Sequence, residues 1–165
     1  MNKTGLQVKG VFRLQITEKD EKTGKNKIVG DTGWRKNQVT NVGIDAYLVD
    51  AIINNSPINV SHMALGTGSA PASNATSQDG EINHNANGRQ SVTTSVISSR
   101  TAQFTGQFAS ANSFVTASAN ISNIGLWNTS TTEGGTLFAG NTFASSALAT
   151  NQNVNATYQI RFTSA

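Results

Sequence analysis

The chain has 165 residues, of which Ser, Thr, Asn and Gln supply 65 and Gly a further 15, while 13 % are charged, 36 % hydrophobic and none is cysteine. That length favours one domain around a single core. The lack of cysteine excludes disulfide scaffolds, thiolate zinc sites and thiol nucleophiles. No apolar run approaches the roughly 18–20 residues of a membrane-spanning helix; the densest, residues 48–53, carries Asp50. The N-terminus, Met1-Asn2-Lys3-Thr4-Gly5, lacks the apolar stretch of a secretory signal. Two histidines leave little material for a catalytic triad or a histidine-rich metal site. The composition leans against an enzyme, and no cofactor or metal is expected.

The net charge of +3 hides an asymmetry. Residues 1–36 hold nine of the twelve Lys and Arg against four acids, a local balance of +5, so the rest of the chain sums to −2. From Gln90 onward only Arg100, Glu133 and Arg161 are charged. A free soluble domain carries about a quarter charged residues, largely on its surface. So sparse a surface is expected either to be covered by identical subunits or to rely on a dense Ser/Thr/Asn coat. The basic segment suits an acidic partner, although a solvated hairpin is the plainer reading. Its lysines are interleaved with Glu18, Asp20, Glu21 and Asp31, which argues against a surface that tracks phosphates.

In chain order, Leu6, Val8, Phe12, Leu14 and Ile16 alternate with Gln7, Lys9, Arg13, Gln15 and Thr17, a half-buried strand. Residues 18–27 read as an exposed turn, and Ile28-Val29-Gly30 starts the return strand. Val42–Ile53 is the exception to the β pattern. Ile44, Tyr47, Leu48, Ala51 and Ile52 share one helical face, Thr40 or Asn41 caps it, and Asn54-Asn55-Ser56-Pro57 stops it. Strands follow at 58–65, 91–98 and 102–108, then at 121–128, 136–143 and 154–162. The last alternates Val154, Ala156, Tyr158, Ile160 and Phe162 with polar neighbours. Residues 70–87 form a long polar loop, and 109–119 a loop or a solvent-facing strand.

Candidate chemistry is thin. Gly66-Thr67-Gly68-Ser69-Ala70-Pro71 begins like a dinucleotide fingerprint, but Pro71 replaces the third glycine and no crossover helix follows. It reads as a turn leaving a strand. Asn83-x-Asn85-x-Asn87-Gly88 copies the start of a calcium loop without its charges, and Thr94 stands where a bidentate Glu is needed. Asp79 and Glu81 could face one side of a strand as a hydrolytic pair, but surface-turn acids are the plainer reading. His62 reads as a packed histidine and His84 as an exposed one. Trp34 and Trp127 could stack on sugars, though a core or subunit-interface Trp is the simpler account.

Four segments in order carry a resemblance: Asn37-Gln38-Val39-Thr40-Asn41-Val42-Gly43 running into the helix; Met63-Ala64-Leu65-Gly66-Thr67-Gly68; Ile124-Gly125-Leu126-Trp127-Asn128 with Gly134-Gly135-Thr136-Leu137-Phe138-Ala139; and the closing strand from Asn153 to Phe162. This order is similar to a divergent group of small virion proteins of tailed bacteriophages, capsid decoration (cement) proteins and tail-fibre-like proteins. It covers Asn37 to the C-terminus. Where an acid often precedes the Gly-Leu-aromatic element, this chain has Asn123-Ile124, which alters a local turn contact. The resemblance implies a β-sandwich or jelly-roll-like domain that often trimerises.

The combined expectation is a single all-β domain over residues 1–165, mainly antiparallel, with one short helix near 42–53 and residues 1–36 as a basic N-terminal hairpin. The leading function is a non-enzymatic capsid decoration protein on the outer surface of a phage head, assembled in the host cytoplasm. It would partner itself as a homotrimer and the major capsid protein, with no nucleic acid and no membrane. The N-terminal strand and its basic turn, with Lys19, Lys22, Lys25, Lys27, Trp34 and Arg35, are the expected contact. Residues 1–27 are expected to be removable without unfolding the domain. The charge-poor strands after Gln90 are the expected subunit interface. The alternative is a tail-fibre or tail-tip subunit recognising a host surface glycan; a depolymerase using Asp79 and Glu81 is the enzymatic reading.

Overall fold

A computed structural model describes residues 5–53, 58–83, 88–112, 114 and 118–164. The two strands with the cleanest alternation lie side by side. β1 (Leu6–Lys19) and β10 (Asn153–Ser164) pair antiparallel without a break from Leu6 opposite Ser164 to Thr17 opposite Asn153. Their even-numbered side chains Phe12, Leu14, Ile16, Val154, Ala156, Tyr158 and Ile160 are buried. Each strand thus covers the core with one face and leaves the other to water.

Around this pair the chain builds one long curved sheet. β2 (Asn26–Asp31) and β3 (Arg35–Val39) both hydrogen-bond to the free edge of β1, at different heights. β3 continues past β1 and pairs with β9 (Leu137–Leu148) through Gln38 opposite Gly140 and Val39 opposite Ala139. Beyond β9 come β8 (Ala119–Trp127), β4 (His62–Gly66) and the short β5 (Arg89–Ser91). On the other flank β10 pairs with β7 (Thr101–Phe108), and β7 with β6 (Thr93–Ser98). The path β5-β4-β8-β9-β3-β1-β10-β7-β6 folds over at β3, and only Val92 separates β5 from β6. The result is an antiparallel, nearly closed sandwich filled by one main cluster that includes Phe12, Met63, Phe108, Phe114, Ile124, Leu126 and Tyr158.

One strand was not anticipated and two expectations change. The run Arg35–Val39 lacks apolar alternation, yet it is the corner strand because its backbone joins two sheets. The helical run α1, residues 41–53, starts where Thr40 Oγ1 accepts the Gly43 amide 2.9 Å away. Its middle, Ile44–Val49, is wound more widely, and the Asp50 amide reaches back five residues to the Asp45 carbonyl. The expected apolar stripe is not buried as a whole: Tyr47 is buried against Phe138, whereas Ile52 is 84 % exposed. The expected stop at Asn54–Pro57 lies outside the described residues, as do His84, Asn85 and Asn87 of the calcium-like motif and part of the 109–119 stretch. Finally, residues 1–27 are not a removable appendage. They include the central strand β1, whose Phe12, Leu14 and Ile16 belong to the core.

Candidate functional site

The predicted contact residues separate into two places. The β1–β2 turn is organised by Asp20, whose Oδ1 accepts the amides of Lys22 and Thr23 and the Thr23 hydroxyl. Gly24, at φ 68°, supplies the left-handed residue that closes the turn. The Thr23 backbone and hydroxyl bonds hold the Asp20 carboxyl below its ordinary range. Lys19, Lys22 and Lys25 are exposed here, but Lys27 is 3.0 Å from Glu18, whose carboxyl that lysine and Gln152 pull down. The tip is therefore a mixed patch, with Glu18, Asp20 and Glu21 among its lysines.

Trp34 and Arg35 lie elsewhere. Arg35 is opposite Phe12 on β1, whereas Lys27 is opposite Glu18, six residues further along. At a strand rise of about 3.3 Å per residue, that is roughly 20 Å. Trp34 is 48 % exposed, and Arg35 Nε donates to the Thr32 carbonyl. Between the two places Arg13 grips Asp31, with Nε 3.0 Å from Oδ1, and this guanidinium holds the Asp31 carboxyl far below the usual carboxylate range.

The motif segments meet on the outer face of the β4–β8–β9 sheet. An irregular pairing between Ile121 and Asn123 switches the inward parity of β8, so Ile124 and Leu126 face the core while Asn123, Gly125 and Trp127 face outward. The loop from Thr67 to Gly80 folds across that face rather than standing in water. Gln78 is buried beneath it, donating to the Ala64 carbonyl and to Asn123 Oδ1, and accepting from Trp127 Nε1. Asn123 Nδ2 donates to the carbonyls of Ser69 and Asp79. An amide both donates and accepts, so Asn123 satisfies three partners, which an aspartate could not. Gly66 and Gly125 are required for the same reason: a Cβ on either would overlap the Asn123 or Gln78 side chain.

Asp79 and Glu81 are each engaged by a different partner. Asp79 Oδ2 accepts the Ser69 amide and hydroxyl, at 2.8 and 2.7 Å, which lowers its pKa. Glu81 is held bidentately by Arg89, at 2.6 and 3.0 Å. Both line a cleft of about 820 Å3 with Glu133, Asn83 and Thr132. Asp79, stabilised as its anion, is a poor proton donor at neutral pH. Among the described residues no group of three His, Asp or Glu could hold a metal ion, and no helix is long and apolar enough to cross a membrane. His62 does have a partner, the Ser61 hydroxyl 2.8 Å from Nδ1, and its partial burial lowers its pKa.

The remaining surface feature is an open seam. β6 is exposed along its whole length, Val96 at 79 %, and its outer edge has no strand beside it among the described residues. Next to it lies a groove of about 470 Å3 lined by Tyr47, Leu48, Ile58, Val60, Phe104 and Phe162, among others, none of them charged. No protein-family model, curated protein or solved structure matches the chain.

Proposed function

We propose that this protein is a non-enzymatic virion structural component, a capsid decoration (cement) protein that binds the outer surface of a tailed-phage head as a homotrimer. The observation that carries this reading is β6. It is an uncharged edge strand, open on both faces and bordered by an apolar groove. Soluble monomers blunt such edges with charges, and β2, the other long edge, has Lys27 and Asp31. An edge left bare is suited to a neighbouring subunit. The order of the four motif segments supports the same assignment.

The physical role is clamping. A trimer that contacts several capsomer subunits at once gains from effective concentration, so modest individual contacts hold firmly. Binding only to the assembled lattice stabilises that lattice by mass action. The major capsid protein is the proposed partner, and the basic N-terminal strand region the contact.

Trp34 favours a second reading. An exposed Trp beside Arg35 suits a tail-fibre or tail-tip subunit that recognises a host surface glycan. A stained gel of purified virions separates the two. Decoration requires a copy number near that of the major shell protein, and a few copies per particle would overturn it. Sedimentation tests the assembly: a stable monomer at micromolar concentration would overturn the homotrimer.

A further inference from the structure

The outward face of the β1–β10–β7 sheet carries an electrostatic arrangement that the isolated chain does not compensate. Lys9 on β1 stands directly opposite Arg161 on β10. Like charges at opposed cross-strand positions are destabilising, because their Cβ atoms are only about 4.5–5.5 Å apart. Lys36 on β3, opposite Val11, adds a third cation on the same face. All three are exposed. Among the described residues the one carboxylate beside this face, Asp31, is already held by Arg13 and Gln15. The other outward positions of β1, β7 and β10 hold Arg13, which is paired with Asp31, Lys19 at the hairpin end, Val11, and amides and hydroxyls, with no acid and no aromatic ring among the described residues.

Arg161 is also held in place. Its Nη2 donates to Gln159 Oε1, and Gln159, only 6 % exposed, donates through Nε2 to Gln103 Oε1 on β7. This amide ladder orients the guanidinium, and its other N–H groups have no acceptor among the described residues. A guanidinium matches a carboxylate in a bidentate pair. The hairpin tip differs, since its lysines already stand among Glu18, Asp20 and Glu21.

We propose that Lys9, Lys36 and Arg161 form the docking face for a carboxylate-bearing protein surface, whose acids relieve the Lys9–Arg161 repulsion. A protein is favoured over a nucleic acid because the unpaired cations of the face are few and it lacks the aromatic platform on which single strands stack. The proposal rests on the decoration reading only for where that surface is found, on the phage head. It moves the shell contact from the hairpin tip to the sheet face.

The test uses the full chain and three probes: immobilised poly-L-glutamate, a DNA duplex, and purified empty heads. Relieving the repulsion with Lys9→Gln is expected to raise the melting temperature by about 1–3 °C. The same substitution, and Arg161→Gln, should each weaken poly-L-glutamate binding about tenfold at 50 mM salt, while Lys22→Glu at the tip leaves it within about twofold. No rise in melting temperature, an equal loss with Lys22→Glu, or tighter binding to the duplex than to poly-L-glutamate would each overturn the docking face. Empty heads separate the two readings. If the wild type binds heads and Lys9→Gln binds equally well, this face is wrong and decoration stands. If Lys9→Gln loses poly-L-glutamate but the wild type ignores heads, the face stands and decoration falls.

Discussion

The Arg89 guanidinium lies 3.6 Å from the centroid of the Trp127 ring while donating to both oxygens of Glu81. Its Nη1 donates to the carbonyls of Thr129 and Gly134. One side chain thus ties β5, the Glu81 end of the covering loop and the turn after β8 together over the outer face of the sheet. The arginine side chain is fully enclosed and that of Glu81 is 6 % exposed. Neither the third glycine nor the lysine of a nucleotide site is needed to explain the Gly66-Thr67-Gly68 turn, whose glycines leave room for the Asn123 and Asp79 side chains.

Breaking this pair should be costly. Removing one partner leaves a buried charge uncompensated, at about 3–5 kcal/mol. Arg89→Met is expected to lower the urea midpoint accordingly, and adding Glu81→Gln to recover part of the loss. A single-mutant loss below about 1 kcal/mol, the range of an exposed pair, would show that the bridge does not hold the loop.

Tyr158 offers the opposite case. It is wholly buried, stacked on Phe12 with ring centroids 5.7 Å apart, and its hydroxyl has no hydrogen-bond partner among the described residues. Burial alone raises its pKa well above the ordinary tyrosine value. Tyr158→Phe keeps the ring and removes the unsatisfied group, so stability should rise by about 1 kcal/mol. The check is a higher urea midpoint at unchanged slope; a lower midpoint would mean that the hydroxyl is satisfied.

Two glycines should respond differently to alanine. At Gly24, which has open space around it and φ 68°, the cost is backbone strain of about 1–2 kcal/mol. At Gly43 a Cβ would run into the Phe138 carbonyl, a backbone group that cannot swing aside. Gly43→Ala should therefore displace the start of α1 and cost more than Gly24→Ala. Thermal melts of the two variants side by side test the order.

Stability should fall with acid in two stages. Burial depresses the His62 pKa, so the unfolded chain takes up a proton first, and stability is lost as pH drops below about 6.5. Asp31, Asp79, Asp20 and Glu18 are likewise depressed, by the bonds described above. Their contribution is present above the unfolded carboxylate pKa of about 4 and is lost as pH falls through and below it. Asp31→Asn should flatten the lower stage and His62→Gln the upper one, measured as urea midpoints between pH 3 and 8 (a range chosen to span about one unit beyond both values). Unchanged curves would sink the assignment.

Much of the β architecture was legible along the chain. The even positions of β1 and β10 declared their buried faces, and Thr40 announced the helix start. β3 was not legible, since Arg35–Val39 has no apolar rhythm and forms because two sheets need a shared corner. The helix's burial was equally hidden: the 3.6-residue pattern groups Ile44, Leu48 and Ile52 on one stripe, yet Ile52 is exposed and Tyr47 is the side chain that the fold buries. The candidate contact residues were identifiable as charges but not as a site. Their spacing along β1 places Lys27 and Arg35 at different heights, while register brings Lys9 and Arg161, 152 positions apart, face to face.

The opening composition can now be divided. By itself, the sequence determined that alternating strands would bury one apolar face and present Ser, Thr, Asn and Gln on the other, because side-chain direction in a strand has period two. It also determined that the C-terminal half would have almost no charge. Only the tertiary structure decided which of those polar residues are surface and which are structure. Gln78 reads as one more residue of a polar loop and Asn123 as a change to a local turn contact, yet both lie beneath the loop, because a buried backbone there needs side-chain donors and acceptors in place of water. It also decided where bare charge would gather, since cross-strand register, unlike composition, sets which cations meet.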